Sequence, residues 1–175
     1  MNYATIKYCD IANGTGVRTS LFVSGCRRHC PECFNAVAWD FGYGLPFDKA
    51  VRNEILGSLA PDYIDGLSLL GGEPFEPENQ RELLPFVRNF KALYPNKTVW
   101  CYSGYTWEQL TGKEPCAARC EVTDELLQLL HGAAGVLEIE LVEVSWIRGR
   151  ILGLHRDALG VDDAEFDPQA HGGER

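Results

Sequence analysis

The chain has 175 residues, 45% of them hydrophobic and 23% charged, which suits a single domain with a real core. A formal net charge of −9 argues against a general nucleic-acid binder, since such proteins carry a basic face. No apolar run is long enough to cross a bilayer and the first residues lack a signal core, so no membrane association is expected; seven cysteines without an export signal indicate a reducing, cytoplasmic setting.

Residues 6–11 lead into Asn13-Gly14-Thr15-Gly16-Val17-Arg18, whose two glycines beside an Asn predict a tight turn. Residues 19–23 are β-rich and apolar enough for a buried strand. That strand delivers the chain into residues 24–35, where Cys26, Cys30 and Cys33 are spaced C-x3-C-x2-C. Three thiolates in one short loop suit three corners of a [4Fe-4S] cluster. The usual electron-transfer cluster takes four, so this spacing leaves one iron open for another ligand, as catalytic metal sites do. Gly25 and Pro31 keep the loop from becoming helical. The competing reading is structural zinc, with Cys30 and Cys33 as one half-site and Cys116 and Cys120 as the other. It leaves Cys26 idle.

Residues 36–44 are aromatic and punctuated by glycine; they either cover the cysteine loop or pack as ordinary core with a turn. Asp48 is a good N-cap for a helix whose Val51, Ile55, Leu56 and Leu59 recur at helical spacing, ending at Ala60-Pro61-Asp62. Residues 66–70 read as a second buried strand, ending in Gly71-Gly72-Glu73-Pro74. Paired glycines there let backbone approach a ligand, and Glu73 is suited to accept hydrogen bonds from an ammonium group; a plain turn fits the same four residues. A helix is predicted over 78–94, with Leu83, Leu84, Phe86, Val87, Phe90 and Leu93 as its buried stripe and Pro85 as a candidate kink. Residues 98–102 form a third strand with Cys101 as a buried position, followed by Ser103-Gly104-Tyr105. Thr106 and Gln109 form a capping-box pair, residues 113–120 a loop, and 123–131 a further helix. Residues 135–144 alternate Glu with apolar residues, a strand at most half buried.

Strand and helix alternating three times indicate an α/β fold with a parallel sheet. The chain is too short for an eight-fold barrel, so an open, partial β/α barrel is expected, with the cysteine loop at the C-terminal strand ends where such folds place their chemistry. The domain is read as residues 1–154. Residues 155–175 are acidic and Gly-rich and are expected to form a poorly ordered tail.

These motifs together resemble the radical S-adenosylmethionine enzymes: the C-x3-C-x2-C loop after one strand, G-G-E-P after the next and S-G-Y-T-W after the third. Within that superfamily the chain is similar to the glycyl-radical-enzyme activases that serve anaerobic ribonucleoside-triphosphate reductase. The likeness is carried by Asn13-Gly14-x-Gly16-x-Arg18, Leu21-Phe22-Val23-Ser24-Gly25-Cys26, Cys30-Pro31-Glu32-Cys33-Phe34-Asn35 and Trp39, and spans about residues 1–131. The resemblance implies a radical-SAM type partial barrel and a [4Fe-4S] cluster on Cys26, Cys30 and Cys33. The open iron of that cluster chelates S-adenosylmethionine. It implies cleavage to methionine and a 5′-deoxyadenosyl radical, which takes a hydrogen atom from a glycine of the reductase large subunit. A flavodoxin- or ferredoxin-type donor supplies the electron. By position, Gly71, Gly72 and Glu73 are expected to meet the methionine ammonium, and Glu32, Cys33 and Phe34 to border the adenosyl end. Asn13, Gly14 and Arg18 are expected near the entrance for the glycine loop. The alternatives are activation of another glycyl-radical enzyme, small-molecule radical chemistry, or a non-catalytic zinc or Fe-S interaction module. Arg27 and Arg28 are read as solvated loop residues or as cations for the thiolates, His29 as a loop residue, and Cys116 and Cys120 as candidates for a second metal site. The family's closing F-R-G-S-x-N-Q-R segment has no counterpart; Arg148-Gly149-Arg150-Ile151 is the nearest to its D-G-x-F stretch, which bears on docking to the reductase.

Overall fold

A computed structural model describes residues 1–131 and 139–141. The chain divides into units Met1–Glu143 and Val144–Arg175; the second, with the expected tail and the Arg148–Ile151 stretch, lies outside the described residues. Strands β1 (Asn2–Asp10), β2 (Arg18–Val23), β3 (Leu45–Pro46), β4 (Gly66–Gly71), β5 (Thr98–Ser103) and β6 (Ile139–Leu141) form one open sheet in the order β3-β1-β2-β4-β5-β6. Helices α1 (Lys49–Ser58), α2 (Pro77–Leu93), the short α3 (Trp107–Leu110) and α4 (Thr123–His131) intervene, with a 3-10 turn over Ala36–Trp39.

β2, β4, β5 and β6 run parallel, but β1 is antiparallel to both β2 and β3. The sheet is therefore mixed, not parallel throughout. The reason lies in the connection: only the residues between Asp10 and Arg18 join β1 to β2, and a parallel partner would need a crossover of a dozen residues or more. The sequence did not announce β1 because most of it is exposed or half-buried, so it lacks an apolar run.

Each helix forms where the local chemistry favours it. The Asp48 carboxylate accepts from the Val51 amide at 3.0 Å, capping α1. Pro77 opens α2, where a missing N–H costs nothing. Pro85 sits inside α2 without ending it, because it lies on the exposed face, where the carbonyl it orphans meets water. Thr106 and Gln109 form the predicted capping box, with bonds of 3.2 and 3.0 Å.

The buried stripes of α1, α2 and α4 pack on one face of the sheet. Ile55, Leu83, Val87, Phe90 and Leu126 meet Leu21, Val23, Leu67, Leu69, Val99 and Cys101 there. Cys101 is the buried strand residue expected. Truncating a leucine such as Leu67, fully buried in this cluster, typically costs about 2–5 kcal/mol. Strand alternation turns Arg18, Ser20, Phe22, Ser68, Leu70 and Trp100 toward the opposite face. The Asn13–Gly14 turn folds under that face: a side chain on Gly14 would come within 2.9 Å of both Trp100 and Arg18.

Candidate functional site

Three segments leave the C-terminal ends of β2, β4 and β5 and are bonded to one another. They are the three that carried the sequence motifs. The Gly72 amide donates to the Val23 carbonyl at 2.8 Å and the Glu73 amide to the Gly25 carbonyl at 2.9 Å. A Cβ on Gly72 would fall 2.6 Å from the Gly25 oxygen and 3.0 Å from the Ala38 oxygen, so only glycine lets the turn lie against the cysteine loop. The Asn79 side chain, fully buried at the start of α2, donates to the carbonyls of Ser24 (3.0 Å) and Glu73 (2.9 Å). Sequence reading missed Asn79; its only signal was an amide in the first turn of an otherwise amphipathic helix.

The cysteine loop is held from the other side by residues 36–44. The Gly25 and Cys26 amides donate to the carbonyls of Ala38 (2.8 Å) and Trp39 (3.1 Å). A side chain at Gly25 would strike the Phe41 ring at 2.3 Å. His29 stacks on Trp39, with centroids 4.5 Å apart and planes 18° apart. Of the two readings open for this stretch, it covers the loop.

Within the loop Gly25, His29 and Glu32 have φ of 95°, 46° and 60°. Non-glycine residues enter that region at a cost of roughly 1–2 kcal/mol each, and the Cys33 amide bonds back to the Cys30 carbonyl at 3.2 Å. The loop is thus folded tightly on itself. Cys26 is buried, while Cys30 and Cys33 are half-buried. Burial raises the pKa of the Cys26 thiol; the backbone amides of Arg28 and His29 work the other way by donating to it, and the Glu73 and Glu76 carboxylates add to the rise. Amides aimed at a sulfur are what a metal-bound thiolate needs, so this donor set fits an iron–sulfur group. Among the described residues no three of the His, Cys, Asp and Glu side chains are grouped to hold one metal ion. A single tetrahedral zinc would require sulfurs roughly 3.8 Å apart, whereas in a cube each cysteine takes its own iron and the sulfurs stand wider. Cys120 accepts a hydrogen bond from the Thr123 hydroxyl at 3.7 Å.

Both loop arginines have fixed partners, in contrast to a solvated loop. Arg27 bonds Glu76 at 2.6 Å and Glu78 at 2.5 Å and lies 4.3 Å from the Phe41 ring centroid. Arg28 lies over Tyr105, 4.9 Å from its ring centroid. Phe34 is 91% exposed, and Glu32 beside it is exposed as well.

Glu73 differs most from expectation. Its carboxylate is buried and faces inward: one oxygen accepts from the Phe75 amide (2.9 Å) and the Ser103 hydroxyl (2.9 Å), the other from the Gly104 amide (2.8 Å). It is a strut between the β4 and β5 ends, so only the backbone of this turn remains to face a ligand. Burial pushes its pKa up to about 7, against the pull of those donors and of Arg28. A carboxyl raised in the folded state holds its proton there but not in the unfolded chain. The resulting stability is present below the ordinary carboxyl range and is lost as pH climbs to about 7. Between pH 5.5 and 7.5 the wild-type chain is expected to lose about 2 kcal/mol more unfolding free energy than Glu73→Gln. Urea titrations at the two pH values check this, and equal losses in both proteins would refute it.

Arg18 belongs elsewhere. It pairs in register with Gly66 at the start of the parallel strands, whereas the cysteine loop follows their other end. The six-residue strand separates the two by roughly 17–20 Å. Asn13, Gly14 and Arg18 thus lie at the amino ends of the parallel strands, away from the cysteine loop.

The family model of the 4Fe-4S single cluster domain matches residues 12–134. The anaerobic ribonucleoside-triphosphate reductase-activating protein of Pasteurella multocida (strain Pm70) is 45% identical over 112 residues, 63% of this chain and 71% of that protein. Its counterpart in Escherichia coli (strain K12) is 38% identical over 134 residues, 75% of this chain and 84% of that protein. That of Enterobacteria phage T4 is 39% identical over 110 residues, 63% and 70% of the two chains. With a 4Fe-4S single cluster domain over most of its length and relatives matched across most of theirs, the chain belongs to the family of anaerobic ribonucleoside-triphosphate reductase-activating proteins.

Proposed function

We propose that this protein activates an anaerobic ribonucleoside-triphosphate reductase by generating a glycyl radical on the large subunit. Cys26, Cys30 and Cys33 are the residues assigned to hold a [4Fe-4S] cluster with one open iron. The cluster and S-adenosylmethionine together supply, when bound, the one-electron cleavage that yields a hydrogen-abstracting 5′-deoxyadenosyl group. Everything else falls to the chain. The Gly71–Gly72 backbone offers carbonyls to the methionine ammonium, with no side chain in the way. Glu73 acts from behind, holding that turn against Ser103 and Gly104. Glu32, Cys33 and Phe34 border the adenosyl end, and the exposed Phe34 ring is free to stack on it. The Ala36–Trp39 turn and Phe41 shield the loop from water.

The observation that carries this reading is the bonding of the Gly72–Glu73 turn to the end of β2 at Val23 (2.8 Å) and to the cysteine loop at Gly25 (2.9 Å). A backbone without side chains thus lies against the loop that carries Cys26, Cys30 and Cys33. The open sheet with helices on one face supports a partial β/α barrel of radical-SAM type, built from residues 1–154 with 155–175 as an acidic tail. We assign the electron to a low-potential flavodoxin- or ferredoxin-type donor and the protein to the cytoplasm. Among the described residues no helix is long and apolar enough to cross a membrane.

The test is anaerobic reconstitution with iron and sulfide, then reduction and addition of S-adenosylmethionine with the reductase large subunit. Electron paramagnetic resonance should show a glycyl radical on that subunit, together with released 5′-deoxyadenosine. Nucleoside release without a radical on this subunit would redirect the activity to another glycyl-radical enzyme or a small molecule. A colourless protein holding stoichiometric zinc would end the proposal.

A further inference from the structure

The two arginines of the cysteine loop are held in different ways. Arg27 is neutralised by its two bonded carboxylates, Glu76 and Glu78. Arg28 has no bonded carboxylate among the described residues. Its guanidinium rests on the Tyr105 ring and its Nε is buried without a hydrogen-bond partner. The side chain crosses Gly104 so closely that a Cβ there would fall 2.4 Å from Nε. It interacts through space with Glu73, whose carboxylate is already taken up by three donors. An aromatic face holds a cation without cancelling its charge. The half-buried side chain is thus fixed against a ring and a glycine, and it carries one positive charge on a residue that stands between Cys26 and Cys30 in the loop, whose sulfurs are negative when metal-bound.

We propose that Arg28 is a positioning residue whose uncancelled charge, fixed by Tyr105 and Gly104, sets the reduction potential of the group that Cys26, Cys30 and Cys33 hold. The inference rests on the cluster assignment above. Reduction adds one electron to that group, and a fixed cation several ångströms away stabilises the more negative form. With screening of the strength usual near a protein surface, the effect is roughly tenfold or more in the reduced-to-oxidised ratio at a given solution potential.

The test is an anaerobic potentiometric titration, with dithionite as reductant, of reconstituted wild type, Arg28→Gln, Arg28→Lys, Tyr105→Leu and Arg88→Gln, all without S-adenosylmethionine. Arg28→Gln is expected to be harder to reduce, its ratio falling roughly tenfold, which is about 59 mV for one electron. Arg28→Lys keeps the charge and should stay within about threefold of wild type. Tyr105→Leu frees the guanidinium and should move in the same direction by less. Arg88, bonded to Glu125 on the α2–α4 surface, makes the same change in net charge far from the loop, and its variant should titrate as wild type. A wild-type midpoint in Arg28→Gln overturns the proposal, and does so equally if that variant instead binds S-adenosylmethionine more weakly, which would place Arg28 on the methionine carboxylate. If Arg28→Gln retains no cluster, a wild-type midpoint in Tyr105→Leu overturns the proposal and a lowered one supports it. A wild-type chain that assembles no iron–sulfur absorption would instead sink the cluster assignment itself.

Discussion

Replacing Cys26 by alanine is expected to abolish 5′-deoxyadenosine release, and replacing Cys30 or Cys33 should do the same. On the proposed assignment each substitution would remove one iron ligand from a set with none to spare, the fourth iron being assigned to the cosubstrate. Losing a group that hydrogen-bonds a metal ligand typically costs 10–100-fold; losing a ligand itself should cost far more, and iron content should fall with activity. Cys116→Ala is the matched control. Its thiol lies on the loop before α4, outside the C-x3-C-x2-C segment, so iron content and nucleoside release should stay within about twofold of wild type. The measurements are iron per chain, visible absorption and chromatographic quantitation of 5′-deoxyadenosine after reduction. Equal losses in Cys26→Ala and Cys116→Ala would overturn the assignment of ligands.

Arg18→Ala should be the most damaging substitution away from the cysteines. The guanidinium is 1% exposed. Its Nε donates to Ser68 Oγ at 2.8 Å; one terminal nitrogen donates to the Thr15 carbonyl (3.1 Å) and Thr98 Oγ1 (2.9 Å), the other to the carbonyls of Leu67 (2.8 Å) and Thr98 (3.1 Å). One side chain thereby ties β2, β4 and β5 together at their amino ends. Removing it strands several buried acceptors and leaves a cavity, a loss of roughly 3–5 kcal/mol. A chain of this size would melt roughly 10 °C lower. Arg18→Lys should recover little, because an ammonium cannot reproduce the planar fork that reaches five acceptors. Thermal and urea unfolding check both variants. A loss below about 1 kcal/mol in Arg18→Ala would show that the clasp is dispensable.

The contrast between these residues marks how far the sequence can be read. Cysteine spacing, paired glycines and the strand–helix alternation are local, and local chemistry explains them. Three thiols within eight residues have few uses, the Asp48 and Thr106 caps act over three residues, and each apolar stripe reports its own burial. From these the α/β class, the order of helices and parallel strands and the importance of the cysteine loop were all legible. The antiparallel β1 was not, because a strand whose residues are mostly exposed or half-buried carries no apolar signature.

The roles of Glu73 and of the Asn13–Arg18 segment depended on the fold. As a sequence, Glu73 is a free carboxylate beside two glycines. In three dimensions Ser103 and Gly104, thirty residues onward, turn it inward. Likewise Asn13-Gly14-x-Gly16-x-Arg18 stands close to the cysteines along the chain, yet one strand's length carries them to opposite ends of the sheet. The same holds for the difference between Arg27 and Arg28: neighbours in sequence, they acquire a carboxylate pair and an aromatic ring from separate segments. Sequence alone determined which groups the chain carries and in what local conformations. Long-range contacts decided which of those groups are buried, neutralised or left charged, since burial and electrostatic partnership depend on distance in space and not along the chain.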